Sequence, residues 1–211
     1  MKVESVKKIV PAEQEIVAIL GTQMDGGFYA GRIMIDDKAF ALIVAPKADG
    51  DHDDHEWIHD YTDAPDALSY NDGLANTRAM AAAGSWLAKW ALDLRIAGHD
   101  DWYIPSLDEL DVIYRNLKPG AHENTCWARS GINMSAIPPA HPYTPDFPVR
   151  TAAEAFQSGG AESFEELWYW TSTRFAANKD WAWCQDFLIG YQHCLTTSYE
   201  LRARAVRRLA I

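Results

Sequence analysis

Cysteine is scarce in this chain of 211 residues, which has only Cys126, Cys184 and Cys194. Three thiols exclude a fully paired disulfide framework, and their spacings match no zinc-ligand pattern. Cys184 and Cys194 are symmetric about Ile189, so a hairpin centred there would set them face to face as a possible cross-strand pair; the competing reading is the reduced thiols usual in the cytosol. Basic residues are also short, with 19 Lys and Arg against 30 Asp and Glu and a net charge of -11. Binding a nucleic-acid backbone or an anionic membrane requires clustered cations, so neither is expected as the main partner. The densest basic run, Arg202, Arg204, Arg207 and Arg208, falls in an expected strand. No apolar run is long enough to span a bilayer, and Met1 to Pro11 mixes Lys, Glu and Ser with short apolar pairs, unlike a signal peptide. Synthesis in the cytosol without membrane insertion is the expectation. No internal repeat is visible.

What the chain does have is 48% hydrophobic residues, enough to bury one core. The expected organisation is an arm or attachment segment over 1–25 and one domain over 26–211, with a loop-rich insertion at 118–166. The C-terminal quarter, from Trp168 to Arg208, organises the rest. Four aromatic or β-branched runs, Trp168 to Phe175, Trp181 to Leu188, Tyr191 to Thr197 and Leu201 to Leu209, are separated by short polar turns. That spacing predicts an antiparallel meander. Trp170, Trp181, Trp183 and Phe187 carry too much ring area for a solvated ribbon, so one face must lie on a core.

Earlier in the chain, Tyr29 to Ile35 and Ala39 to Ala45 alternate apolar and polar residues around Asp36-Asp37-Lys38 and predict a hairpin. Asp49, Asp51 and Asp53 then fall at alternate positions as in a calcium loop, but Asp54 occupies the hinge position that calls for Gly. His52, His55 and His59 add a transition-metal reading. The plainer alternative is a solvated acidic loop. Met80, Ala83, Leu87, Trp90 and Leu94 form one apolar stripe and predict a single helix from Asn71 to Gly98, with Asn71 or Asp72 capping its start and Gly98 stopping it. Gly84 inside that helix implies close approach by a neighbour. A brief strand at Trp102 to Ile104 leads to a second helix, opened by the capping box Ser106 to Glu109 and buried through Leu110, Ile113, Tyr114 and Leu117. Tyr114 reads as a core residue with its hydroxyl hydrogen-bonded. Lys118 to Glu166 is rich in Pro and Gly and lacks periodicity, with short helical turns expected at Thr151 to Phe156 and Ser163 to Leu167; Trp127, Tyr143 and Phe147 argue that it is ordered.

These residues carry a family likeness. Gly26 to Trp57, Gly73 to Thr77 (GLANT), Trp102 to Tyr114 (WYIPSLDELDVIY), Tyr169 to Thr173 (YWTST), Ala182 to Gly190 and Arg204 to Arg207 occur in an order that resembles the Lcl C-terminal domain family. The resemblance implies an α+β, C-type-lectin-like fold: a small mixed or antiparallel sheet flanked by two helices, here with a long Pro-rich insertion. It implies a binding scaffold and supplies no catalytic set. The triplets through which sugar-binding C-type lectins hold calcium, E-P-N or Q-P-D and W-N-D, are absent from the sheet. The matched cysteine pair of formylglycine-generating enzymes, which share the broad fold, is absent too.

Because members of the family also occur in phage tail-associated proteins, the resemblance suggests a non-enzymatic recognition component of a virion tail. Its partners would be a host-surface glycan or protein and other tail proteins, with a homotrimer favoured. Polar and aromatic residues on the meander are the candidate ligand contacts: Arg174, Asn178, Trp181, Gln185, Tyr191, His193 and Tyr199. No cofactor is expected beyond calcium at Asp49, Asp51 and Asp53. Two alternatives stay open: a metal-assisted hydrolase using the Asp and His cluster at 49–60, and an intracellular structural or regulatory protein on the same scaffold.

Overall fold

The computed structural model describes residues 18–127 and 129–211, so most of the expected arm lies outside the described residues. Strand β1 (Gln23–Met24) turns through Asp25 and Gly26 into β2 (Gly27–Ile35), which turns through Asp36 and Asp37 into β3 (Lys38–Val44). All four turn residues have positive φ, between 47° and 84°. That is the two-residue hairpin turn whose twist suits antiparallel strands, and Asp and Gly tolerate it best. The expected hairpin is therefore present.

After β3 comes one helical turn, α1 (Lys47–Gly50), and then β4 (Asp51–Glu56). Residues 51–56 of the acidic stretch are thus a strand and not a loop, although Asp53, Asp54 and Asp60 are exposed. It pairs antiparallel with β8 (Glu200–Arg204), which follows β5 (Trp168–Arg174), β6 (Trp181–Asp186) and β7 (Gln192–Thr196) in the chain. The last strand, β9 (Val206–Ala210), pairs instead with β3. One sheet has the order β1-β2-β3-β9 and the other β4-β8-β5-β6-β7. The expected four-run meander therefore holds through β5, β6 and β7 only. The fourth run returns beside β5 in parallel and then crosses at Ala205 into the other sheet. The crossing follows from its partner: Ala205 bonds to Ala45 and to Gly50 at the two ends of α1. A side chain at Gly50 would lie 2.3 Å from the Ala45 Cβ, so this close passage needs glycine.

The single helix expected over 71–98 is two. Asp72 caps α2 (Gly73–Ala82) as predicted, but Ser85 starts a separate α3 (Trp86–Asp93), accepting a bond from the Ala88 amide. Between them Gly84 has φ of 104°, and a side chain there would meet nothing within 4 Å. Backbone conformation, not a crowding neighbour, is what glycine serves at this position. Gly98 likewise sits in a tight turn beyond the end of α3, where Ile96 and His99 pair. Met80 and Leu87 are buried as the stripe requires, while Leu94 is only half-buried.

Helix α4 (Leu107–Leu117) carries the expected capping box, and Leu110, Ile113, Tyr114 and Leu117 are all buried. They pack with Phe28, Ile33 and Leu42 of one sheet and with Tyr169 of the other and Phe187 just beyond β6, so α4 lies between the sheets. Met80, Leu87 and Ala91 of α2 and α3 cover another part of the five-stranded sheet through Trp170, Ala182 and Cys184. The architecture is α+β. Within the insertion, Glu154–Phe156 forms a short 3-10 turn, whereas Ser163 to Leu167 has no helical turn. Buried Asn124 anchors the insertion, accepting from Tyr114 Oη and Lys118 Nζ, both at 2.8 Å, and donating to the carbonyls of Pro145 and Pro148.

Candidate functional site

The β6–β7 ribbon pairs Trp181 with Thr196, Trp183 with Cys194, Cys184 with His193 and Gln185 with Gln192. Since side chains alternate along a strand, Trp181, Trp183, Gln185, Gln192 and Cys194 share one face, and Cys184, Tyr191 and His193 the other. The hairpin centre lies between Leu188 and Ile189, half a residue from the symmetric position. That shift sends Cys184 and Cys194 to opposite faces, and all three cysteines are free.

On the first face, the loop after α4 covers the strands. Gln185 is fully buried and donates from Nε2 to Tyr143 Oη at 3.1 Å. The Tyr143 hydroxyl in turn donates to Asp111. Asn133 Nδ2 donates to Asp111 Oδ2 at 2.9 Å and to the Asp108 carbonyl at 2.8 Å. Asp108 also pairs with Arg129 and accepts from Ser135 Oγ at 2.9 Å. The Arg129 guanidinium lies 4.9 Å from the Tyr70 ring centre, and Tyr70 flanks Trp183. Burial pushes the carboxyls of Asp108 and Asp111 upward against these bonds, and it pushes the Tyr143 phenol well up.

Within this network several buried polar atoms have no protein partner among the described residues: Trp183 Nε1, Gln185 Oε1, both side-chain ends of Gln192, Ser130 Oγ and Arg129 Nε. Gln192 is only 2% exposed. A buried polar group left unpaired costs about 1–3 kcal/mol, so such groups in native proteins normally meet water or a ligand. Donors and acceptors are mixed here, and the rings of Tyr70, Phe175 and Trp183 lie beside them. That combination suits a neutral, hydroxyl-rich or amide-bearing ligand better than an ion.

The residues expected to contact ligand do not all converge here. Gln185 belongs to the cluster, and Trp181 borders it through Phe175. Arg174 is buried and paired with Asp63 at 3.3 Å. Tyr191 and His193 stack on each other, centroids 5.5 Å apart, on the opposite face. Exposed Asn178 uses its Oδ1 to accept from the Asp180 amide in the β5–β6 turn, and exposed Tyr199 sits in the β7–β8 turn. Gln192, Ser130, Arg129 and Asp108 were not foreseen. Their signal was slight: Trp183 and Gln185 two apart on a strand, and Asp108 and Asp111 one helical turn apart on an otherwise apolar helix face.

Asp49, Asp51 and Asp53 do not gather into a ligand set. Asp49 lies in α1, while Asp51 and Asp53 both reach Arg202 at 3.0 Å. His52 and His55 pack against Trp86, the latter stacked at 4.7 Å, with their Nδ1 atoms near backbone carbonyls. Among the described residues no three His, Cys, Asp or Glu side chains converge to hold a metal, and no helix is long and apolar enough to cross a membrane.

Comparison with known proteins finds a match to the Lcl C-terminal domain over residues 52–207. No curated protein matches the chain.

Proposed function

The chain belongs to the Lcl C-terminal domain family, and from that premise we propose that it is a non-enzymatic recognition protein, a phage tail-associated component that binds a host-surface glycan or protein. On this reading the scaffold is C-type-lectin-like, with α4 and the α2–α3 pair against the five-stranded sheet and the insertion displayed over β6 and β7. The observation that carries it is the set of buried, unpaired amide, indole and hydroxyl groups around Gln185 and Gln192, framed by aromatic rings. Rings supply stacking area at low entropic cost, and fixed polar atoms select a hydroxyl pattern. The carboxylates nearby are committed to Arg129, Ser135, Asn133 and Tyr143, which favours binding over acid–base chemistry.

The test is binding of labelled protein to candidate host cells and to immobilised neutral oligosaccharides. Gln192→Leu is expected to lose binding while a Tyr191 and His193 double alanine variant keeps it. The reverse result would move the site to the other face of the ribbon. A homotrimer fits a fibre tip, and a stable monomer by light scattering at micromolar concentration would count against that assembly.

A further inference from the structure

A concavity lies between β2, α4 and two stretches of the insertion, with a volume of about 850 Å³. That is within the range of pockets that enclose small organic ligands. Its lining is largely apolar and includes Ile19, Phe147 and Val149, all of them exposed large hydrophobic side chains. Several such residues gathered in one place mark a binding surface more often than scattered ones do. The polar members have one sign of charge. Arg32, Arg115 and Arg150 line the groove, and among the described residues no Asp or Glu does, in a chain whose net charge is -11.

The three arginines differ in their commitments. Arg115 is held in place: it donates to the carbonyls of Gly131 and His141 and lies over the Tyr143 and Phe147 rings. Its charge also acts on Asp111. Arg32 and Arg150 have no carboxylate within ion-pair distance among the described residues. An apolar trough with two uncommitted guanidinium groups matches a molecule that has an apolar body and a carboxylate end, since guanidinium pairs with carboxylate through two parallel bonds.

We propose that this groove binds a small amphipathic carboxylate, an aliphatic acid whose chain lies against Phe147 and Val149 and whose head group meets Arg32 and Arg150. The groove shares none of its lining residues with the Gln185–Gln192 cluster, which it adjoins through Arg115 over the Tyr143 ring, and its proposed ligand is a different one. The experiment is calorimetric titration of the full chain with decanoate below its micelle concentration, alongside neutral decanol. Saturable binding of decanoate, at least about tenfold tighter than decanol, is expected. In an R32Q/R150Q variant the preference for decanoate should fall to near unity. V149D, at a side chain 65% exposed, should abolish binding while circular dichroism and thermal midpoint stay as in the parent. Absence of saturable binding, equal affinity for acid and alcohol, or undiminished decanoate binding in R32Q/R150Q would each overturn the proposal. So would finding that V149D dissociates an oligomer of the parent, which would make a second copy the occupant.

Discussion

At the scale of single residues, Gln192 is the most informative position. Its amide is buried opposite Gln185 with neither end bonded to protein among the described residues, an arrangement that costs stability unless something polar fills it. Gln192→Leu is therefore expected to leave the unliganded protein as stable as the parent or more so, by up to about 1 kcal/mol, while removing ligand binding. Urea denaturation checks the first part, and a loss above about 2 kcal/mol would show that the amide has a structural role instead. The cysteines give a second residue-scale expectation. Cys126 is exposed, whereas Cys184 and Cys194 are buried, and burial raises the pKa of both, Cys194 to about 12. Only Cys126 should react with a thiol reagent in the native state, and all three after unfolding. A titre of one thiol in the denatured, unreduced protein would reveal a bridge that the opposite-face register forbids.

Individual elements are decided at their ends. The break between α2 and α3 rests on Gly84 at positive φ and on Ser85, which caps α3 and donates from Oγ to the Trp57 carbonyl at 2.6 Å. In an unbroken helix Gly84→Ala would stabilise by about 1 kcal/mol; at this φ it is expected to destabilise by about 1–2 kcal/mol. Thermal melts distinguish the two by sign alone. At the start of α4, fully buried Glu109 accepts from Ser106 N and Oγ, Gly73 N and Tyr103 Oη. Burial raises its pKa from 4.5 to about 7, in spite of these bonds. The folded state thus keeps this proton to higher pH than the unfolded chain does. Its contribution is fully present below pH 4.5 and lost as pH rises through about 7, a change of about 3 kcal/mol. Glu109→Gln should remove that slope, and denaturation midpoints across this interval that fall equally in parent and variant would refute it.

At the scale of the whole molecule, the two sheets share one stretch of chain, since β8 and β9 flank Ala205 and belong to different sheets. Arg204 locks that crossing: fully buried, it donates to the Ala45 carbonyl and to Glu162, and lies over the Phe164 ring at 4.9 Å. The sheets should therefore unfold together, in one calorimetric transition that coincides with loss of tryptophan fluorescence. Arg204→Ala would leave Glu162 and the Ala45 carbonyl without their cation and is expected to cost about 3–5 kcal/mol. Two separated transitions in the parent would contradict this coupling.

Much of this was legible in the residues because it is local. Asp36-Asp37 specifies its hairpin turn, Ser106 with Glu109 specifies the start of α4, and the apolar periodicity of 107–117 specifies its buried face, all through interactions spanning a few residues. The Lcl likeness was legible too, in motifs strung along the chain. Tertiary structure alone decided the rest. That Leu201 to Leu209 divides between two sheets depends on Ala45 and Gly50, more than 150 positions away in the chain. Pairing Gln185 with Gln192, beneath a loop pinned by Asn124 and Asn133, depends on a hairpin centre that half a residue would shift, turning every side chain to the other face. Local preferences carry no information about which distant groups become neighbours, and the candidate sites are made of such neighbours.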